Sequence, residues 1–289
     1  MTPRTALGAL HIGALMFGLT GVLGKLATAS PTIVTFGRAL CAVLALGIFW
    51  RLANRTGWQR PGWAQGGRLV LGGLLLAGHW VSFFIAVKVA GVAVATLGFA
   101  SFPAFTVILE GLIFRERIQL SEILLVVLVS IGLLLVTPDF DLANQASAGL
   151  LWALLSGLLF ALLSLTNRAG SGSVPAVQTA LCQNLVVVLC LLPFASPQLG
   201  SVRALDWLWI GILGVLCTGL AHSLFVASLT VVKARTAAMV FALEPVYGIT
   251  IAWLLFGENP SLATLLGGAL IIIAIVLSSR LASGKKPPH

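Results

Sequence analysis

Long apolar runs alternate with short polar connections along the whole chain. An α-helix needs about 20 residues, at 1.5 Å each, to cross about 30 Å of hydrocarbon. Runs of about that length lie at 5–26, 31–50, 68–88, 91–114, 119–137, 147–167, 174–194, 206–230, 234–256 and 261–281. The pattern therefore predicts an all-α polytopic membrane protein with ten transmembrane helices.

The composition narrows the class of protein further. Of the 289 residues, 59% are hydrophobic and only 9% are charged, whereas a soluble domain carries about 25% charged residues. This excludes a soluble enzyme, a disordered chain and a nucleic-acid binder. The lipid bilayer is the expected partner of most of the surface.

The distribution of cations predicts the topology. If the N-terminus lies inside, thirteen of the 17 lysines and arginines fall in inner segments, and only Lys25, Lys88 and Arg203 fall outside. Such an excess marks the cytoplasmic side, so we expect both termini in the cytoplasm and the protein in the cytoplasmic (inner) membrane. A signal-peptide site at Ala27–Ala29 is the weaker alternative, because its apolar stretch exceeds the 7–15 residues of such a peptide.

The two halves of the chain share an internal repeat. With a shift of 142 residues, segment 99–116 lies over 241–258 with six of eighteen positions identical. The repeats are 1–140 and 141–289, with five predicted helices each. Since five is odd, the halves must insert in opposite orientations, and inverted repeats underlie alternating access in secondary transporters.

Several segments give the sequence a recognisable family character. It resembles the EamA branch of the drug/metabolite transporter superfamily over nearly its whole length. The resemblance rests on Lys25, Pro31, Arg38, segment 86–136 with its Arg115-Glu116-Arg117 stretch, and the second copy at Pro245 and Gly257-Glu258. Two departures are the apolar stretch before Lys25 and Cys182, which stands where Arg38 would repeat.

Within that family, His79-Trp80 and Phe83-Phe84 look most like the aromatic amino-acid exporters. The resemblance implies a secondary transporter that exports small metabolites through a cavity near the midplane. The implied substrates are aromatic amino acids, with other amino acids or drug-like amphiphiles as the alternative.

Glu244 is the most costly residue for a bilayer to accommodate. It lies about ten residues into the ninth predicted span, and a charge at that depth costs about 2.5–3.5 kcal/mol on insertion scales. Pro245 follows it and interrupts helical hydrogen bonding. Two interpretations stay open: a hinge whose carboxylate binds a substrate amine or carries a proton, or a buried, protonated and hydrogen-bonded structural group.

Histidines and aromatic rings form the second group of candidates. His79 near the midplane, with its approximate repeat mate His222, either contacts substrate or only joins helices. The other candidate lining residues are rings near the two prolines and in the third and sixth spans: Trp80, Phe83, Phe99, Phe102, Trp152, Phe160 and Tyr247. Pro103 and Pro245 are the predicted hinges.

The remaining charged residues have structural interpretations. Arg38 lies in the second span and is expected to have a structural or gating role. Glu110 is expected to reach Arg115 or Arg117 at the inner surface, and Glu116 and Glu258 to cap helices or form salt bridges.

A transporter is favoured over the competing classes. The sequence has no G-x-S-x-G or H-E-x-x-H motif and no paired intramembrane aspartates, so no enzyme, cofactor or metal site is expected. A channel is the stronger rival, but no charge ring or carbonyl filter is recognisable. We expect a monomer that binds a small molecule, with a substrate gradient or protons as the driving force.

Overall fold

The computed structural model describes residues 1–53, 58–115, 118–136, 144–241, 243–257 and 260–283. Every regular element in these ranges is helical, which confirms the all-α class. The α-helices are α1 (Pro3–Leu26), α2 (Pro31–Ala53), α3 (Trp63–Phe99), α4 (Phe102–Phe114), α5 (Leu120–Val136), α6 (Gln145–Ala169), α7 (Ala176–Ala195), α8 (Ala204–Gly214), α9 (Ala221–Ser228), α10 (Ala234–Phe241), α11 (Glu244–Phe256) and α12 (Leu262–Ser283). A 3₁₀ turn (Ser196–Ser201) precedes α8, and a π segment (Val215–Leu220) joins α8 to α9.

Seven helical stretches in the described residues are long and apolar enough to cross a membrane. Three of them combine consecutive elements, such as Ala204–Ser228 and Ala234–Phe256. Helices of membrane-spanning length therefore occur at seven places in the described part of the chain, as hydrophobic length predicts. The total of ten spans remains a prediction.

Helix α3 is longer than one crossing requires and is interrupted within its length. Its 37 residues correspond to about 55 Å at 1.5 Å per residue. Gly91 leaves the helical conformation, with φ 80° and ψ 174°, a region that favours glycine because it has no Cβ. The backbone therefore breaks where the sequence separates the third predicted span, 68–88, from the fourth, 91–114.

The fourth and ninth predicted spans are each divided between two helices. Helix α4 begins at Phe102, after α3 ends at Phe99, and α11 begins at Glu244, after α10 ends at Phe241. Each new helix carries its proline in the first turn, where the missing N–H is not needed. Pro103 and Pro245 thus follow helix breaks; whether these breaks act as hinges remains a prediction.

Both of these helices also end alike. The residue after α4, Arg115, has φ 51°, and the residue after α11, Gly257, has φ 64°. These positions are 142 residues apart, which is the shift of the repeat. The left-handed conformation is a common way to end a helix, but in Arg115 it is adopted without the freedom of glycine.

Helices of the first half of the chain pack against helices of the second half. Helix α1 packs on α11, and α6 packs on α4. Helix α2 also packs on α7, and α5 packs on α12. Each half therefore completes the packing of the other, and the centre of the molecule lies between them.

Some sequence predictions fall outside the described residues. These are the salt bridges or caps of Glu116 and Glu258, the partner role of Arg117, and the repeat boundary at 140 and 141.

Candidate functional site

A narrow cavity lies where α1, α2, α3, α6, α9 and α11 meet. Its walls combine aromatic rings with a few ionisable and polar side chains. The lining residues are Phe17, Thr20, Arg38, Leu76, His79, Trp80, Phe83, Phe99, Phe160, His222 and Glu244. Seven candidates from the sequence thus meet here: both histidines, Trp80, Phe83, Phe99, Phe160 and Glu244.

The rings form one continuous cluster around Phe160. The ring centre of Phe160 lies 4.9 Å from that of His79, 5.4 Å from Phe99 and 5.3 Å from Phe225. Both edge-to-face and stacked pairs occur, and these are the favoured aromatic geometries. An aromatic guest could replace some of these contacts with equivalent ones.

Glu244 is the only acidic group among the lining residues. Its side chain is 4% exposed, and it interacts electrostatically with Arg38 across the cavity without a direct ion pair among the described residues. As the first residue of α11, it lies at the positive end of the helix dipole, which favours negative charge. The cavity therefore holds an acidic group with unused capacity to accept hydrogen bonds.

Arg38 enters the cavity from α2 and is held on three sides. Its Nε donates to Thr218 Oγ1 at 2.8 Å, and its Nη2 donates to the Cys217 carbonyl at 3.3 Å. The guanidinium carbon lies 4.0 Å from the centre of the Trp80 ring, a cation–π contact. The group is therefore fixed in orientation at the cavity wall.

Both histidines line the cavity and also join helices. Nδ1 of His79 lies 2.7 Å from Ser156 Oγ on α6, and Nε2 of His222 lies 3.0 Å from Gln183 Oε1 on α7. Each ring therefore has one nitrogen engaged between helices. The structural and the binding interpretations of His79 are compatible, because the ring is shared between both tasks.

The cavity is closed around little free space. The centre of a water molecule can occupy about 20 Å³ of it, which is room for about one water. An amino acid cannot enter this arrangement unless the surrounding helices separate.

Three candidates lie elsewhere. Trp152 is 40% exposed on α6 and is not among the residues that line this cavity, so its role in substrate binding remains a prediction. Phe102 forms a second layer, stacked at 4.9 Å on Phe99. Tyr247 packs on Gly18. A Cβ added at Gly18 would lie 2.6 Å from the Cβ of Tyr247.

Glu110 is completely buried, contrary to the expectation that it reaches Arg115 or Arg117 at the surface. It pairs with Arg168 of α6, and its Oε2 accepts a hydrogen bond from Arg235 Nε of α10 at 2.7 Å. We call these three residues the Glu110 cluster. It joins the first half of the chain to the second.

A second polar cluster lies at the opposite end of α1. Asp206 accepts hydrogen bonds from the Thr28 backbone N–H at 2.8 Å and the Thr28 hydroxyl at 2.9 Å, and pairs with Arg203 at 3.1 Å. We call these the Asp206 cluster. It too joins the two halves of the chain.

The two clusters lie near opposite ends of α1. Ser228 donates a hydrogen bond to the carbonyl of Ala6, so the end of α9, and with it the start of α10, lies beside the start of α1. Thr28 follows the other end of this 24-residue helix, about 36 Å away.

Sequence reasoning missed Phe17, Thr20 and Leu76, and it assigned Arg38 elsewhere. A phenylalanine or leucine in an apolar run carries no signal of its own. Thr20 offered a weak signal, because it is a hydroxyl residue within the first apolar run. Arg38 offered a strong one, since an ionisable residue inside a span is a functional candidate by default.

Comparison with known proteins identifies the family. Residues 4–137 and 147–280 each match the model of the EamA-like transporter family. A solved crystal structure superposes with a TM-score of 0.77 at 20% identity, covering 97% of this chain and 98% of that one, and so shares the fold.

Several relatives that match most of the chain are described as transporters. The uncharacterized transporter YxxF of Bacillus subtilis is 24% identical, covering 97% of this chain and 91% of that protein. The pseudopaline exporter CntI of Pseudomonas aeruginosa is 25% identical, with 94% and 95% covered. The S-adenosylmethionine uptake transporter of Rickettsia conorii is 26% identical, with 75% and 74% covered.

Proposed function

The chain belongs to the EamA-like transporter family, and we propose that it is a secondary transporter that exports aromatic amino acids by alternating access. The membrane in question is the cytoplasmic membrane. The substrate binds in the central cavity between the halves. Export rather than uptake follows from the resemblance of His79-Trp80 and Phe83-Phe84 to the aromatic amino-acid exporters.

The observation that carries the substrate proposal is the buried carboxyl group of Glu244, which receives no hydrogen bond from the described residues and lies beside a cluster of rings. The rings around Phe160 suit an apolar, planar side chain, because aromatic pairs gain about 0.5–1.5 kcal/mol beyond burial. Glu244, without a hydrogen-bonded partner among the described residues, suits the α-ammonium group. A few polar groups in an apolar pocket are the usual design of a small-molecule site.

The proposed residues follow from this geometry. His79, Trp80, Phe83, Phe99, Phe160, His222 and Glu244 contact the substrate, and Phe102 supports the ring cluster from behind. Pro103 and Pro245 mark the breaks around which half-helices move, and Tyr247 moves with α11.

The architecture we propose is ten spans in two inverted repeats, 1–140 and 141–289, with both termini cytoplasmic and the protein a monomer. Two separate matches to one family model, 4–137 and 147–280, support the repeat. So do the equivalent breaks before Phe102 and Glu244. The odd number of spans per repeat and the cation distribution support the inversion and the orientation.

Alternating access requires that the two ends open in turn. In this proposal the Glu110 cluster closes the cytoplasmic end and the Asp206 cluster closes the external end. Both connect residues of opposite halves, so a rocking movement of the halves breaks one cluster while the other is kept. The nearly filled cavity fits a state in which both are formed.

Transport by the purified protein tests this function. Liposomes containing it should take up labelled phenylalanine, tyrosine or tryptophan, and the matched Glu244→Gln variant should be slower by at least about tenfold, since hydrogen bonds to charged groups contribute about 1.5–3 kcal/mol. Threonine and a cationic dye, assayed in parallel, represent the alternative substrates. No flux of any aromatic amino acid would reject the proposal.

Proton coupling is tested in the same vesicles. We expect an imposed pH gradient to change the initial rate, with Glu244 or His79 as the candidate carriers. A rate indifferent to the gradient would remove their role as proton carriers and leave their role in binding.

A further inference from the structure

We propose that Arg38 is the carboxylate-binding residue of this transporter, and that one of its guanidinium nitrogens is reserved for the substrate. This inference rests on the proposed function, because it names the group that binds the second charged end of an amino acid. Family resemblance assigned this residue a structural or gating role, and the cavity geometry points elsewhere.

The first argument is an unused hydrogen-bond donor. Arg38 is 0% exposed, and its Nη1 has no hydrogen-bond partner among the described residues. A buried polar group left unpaired costs about 1–3 kcal/mol, and more when it is charged. Because Arg38 lines the cavity, a bound anion can satisfy Nη1.

The second argument is the charge. No acidic side chain in the described part of the chain forms an ion pair with Arg38. A cation in a span almost always pairs with another group or lines a pathway. Glu244 shares the cavity and interacts with Arg38 electrostatically, but the two groups form no direct ion pair among the described residues, so a substrate carboxylate can bind Nη1 of Arg38 while the substrate's ammonium group binds Glu244.

The third argument is the irregular helix that holds the guanidinium. The π segment Val215–Leu220 lets the Thr218 hydroxyl donate to the Leu213 carbonyl five residues back, at 2.9 Å, while it accepts from Arg38 Nε. Such π segments often occur at functional sites because they redirect backbone and side-chain groups. Here the π segment accepts hydrogen bonds from Nε and Nη2 of Arg38, and Nη1 has no partner among the described residues.

Close helix packing supports this placement. Gly214, the last residue before the π segment, lies so close to α2 that an added Cβ would be 2.6 Å from the Arg38 carbonyl oxygen and 3.2 Å from its Cα. The backbone at Arg38 therefore cannot shift without moving α8. A guanidinium fixed in this way is preorganised for a planar carboxylate.

Substrate analogues test the assignment on the unmodified protein. The dissociation constants of L-phenylalanine, L-phenylalaninamide and 3-phenylpropionate are measured by titration calorimetry with the full chain in detergent micelles. The amide lacks the carboxylate, so we expect it to bind about 10- to 100-fold more weakly than L-phenylalanine. The phenylpropionate keeps the carboxylate and lacks the ammonium group, so its binding reports the contact with Arg38 without the contact with Glu244.

The variant Arg38→Gln should remove this preference. We expect it to weaken L-phenylalanine about 10- to 100-fold and to leave the affinity for the amide unchanged, whereas a merely structural role would weaken both alike. Arg38→Lys keeps the charge and should restore part of the preference. Arg60→Gln, which changes an exposed arginine, is the matched control and should bind like the unmodified chain.

The outcomes separate the inference from the proposed function. If the amide binds as tightly as L-phenylalanine to the unmodified protein, the role of Arg38 is wrong while the substrate class stands. If L-phenylalanine does not bind but phenylpropionate does, the substrate class is wrong while the carboxylate site stands. Should Arg38→Gln fail to fold, the analogue series on the unmodified chain decides alone.

Discussion

Single residues at the centre of the cavity determine which side chain fits. Phe160 contacts rings from two other helices, α3 and α9, with centroids 4.9–5.4 Å from those of His79, Phe99 and Phe225. Its ring is 2% exposed. The aromatic preference of the site should therefore depend on this residue more than on any lipid-facing ring.

Replacement of Phe160 tests this preference. Phe160→Ala should weaken the binding of L-phenylalanine at least about tenfold, because both buried area and ring contacts are lost. Phe194→Ala, which removes a ring that is 65% exposed, is the matched control and should bind normally. Equal affinities of the two variants, measured by calorimetry, would place the substrate outside the ring cluster.

A cavity residue can be recognised from the sequence only where its side chain differs chemically from its neighbours along the chain. Glu244 and His79 are recognisable because polar groups are rare within apolar runs. Phe17 is not, because a ring among apolar residues looks the same whether it faces lipid or the cavity. The place of Trp152 is hard to predict for the same reason, because a helix that is apolar all round gives no periodicity that identifies its inner face.

At the scale of helices, small residues allow α1 to lie against α11. A Cβ added at Gly18 would be 2.6 Å from Tyr247 Cβ and 3.2 Å from both the Glu244 carbonyl and the Gly248 nitrogen. Membrane helices associate through such close contacts. The position of Glu244 in the cavity therefore depends on the absence of a side chain on the neighbouring helix.

Two alanine substitutions in α1 test this packing. Gly18→Ala should destabilise the protein by about 1–3 kcal/mol through overpacking. Gly8→Ala has open space around it and should be neutral or slightly stabilising, since alanine is the better helix former. The measurement is thermal unfolding in detergent; a Gly18→Ala variant as stable as Gly8→Ala would show that α1 and α11 are not held this closely.

Hydrophobic length and the positions of prolines decide how much of the helical structure can be predicted. Hydrophobic length identifies where helices run, and prolines identify where α4 and α11 begin. The sequence does not reveal that α3 begins at Trp63, five residues before the predicted start of the span, and that it runs without interruption to Gly91. Nor does it reveal the π segment beside Arg38, because an extra residue in a helical turn changes hydrogen bonding without changing composition.

At the scale of the whole molecule, two polar clusters hold the halves together at opposite ends. The Glu110 cluster has one buried carboxylate between two arginines. Removing one partner of a buried ion pair costs about 3–5 kcal/mol, because the remaining charges are left uncompensated. Loss of either cluster should therefore favour the state that is open at its own end.

Labelling of the Cys217 thiol tests whether loss of each cluster opens a different end of the molecule. The thiol belongs to a fully buried residue beside Arg38 and becomes the sole reporter once Cys41, Cys182 and Cys190 are replaced by serine. Glu110→Gln should increase labelling by an impermeant maleimide from the cytoplasmic side. Asp206→Asn should do so from the external side.

The control is the same cysteine background with both clusters intact, which should label slowly from either side. Increased labelling from the same side in both variants would contradict the assignment of the clusters to opposite ends of one pathway.

The most direct test of the central claim is counterflow in liposomes. Vesicles containing the purified protein are loaded with unlabelled L-phenylalanine and diluted into a trace of the labelled amino acid. Alternating access predicts transient accumulation of label above its equilibrium level, because each return of the carrier exchanges one bound molecule for another. Simple equilibration without an overshoot, as a channel would produce, or no entry of label at all would contradict the account.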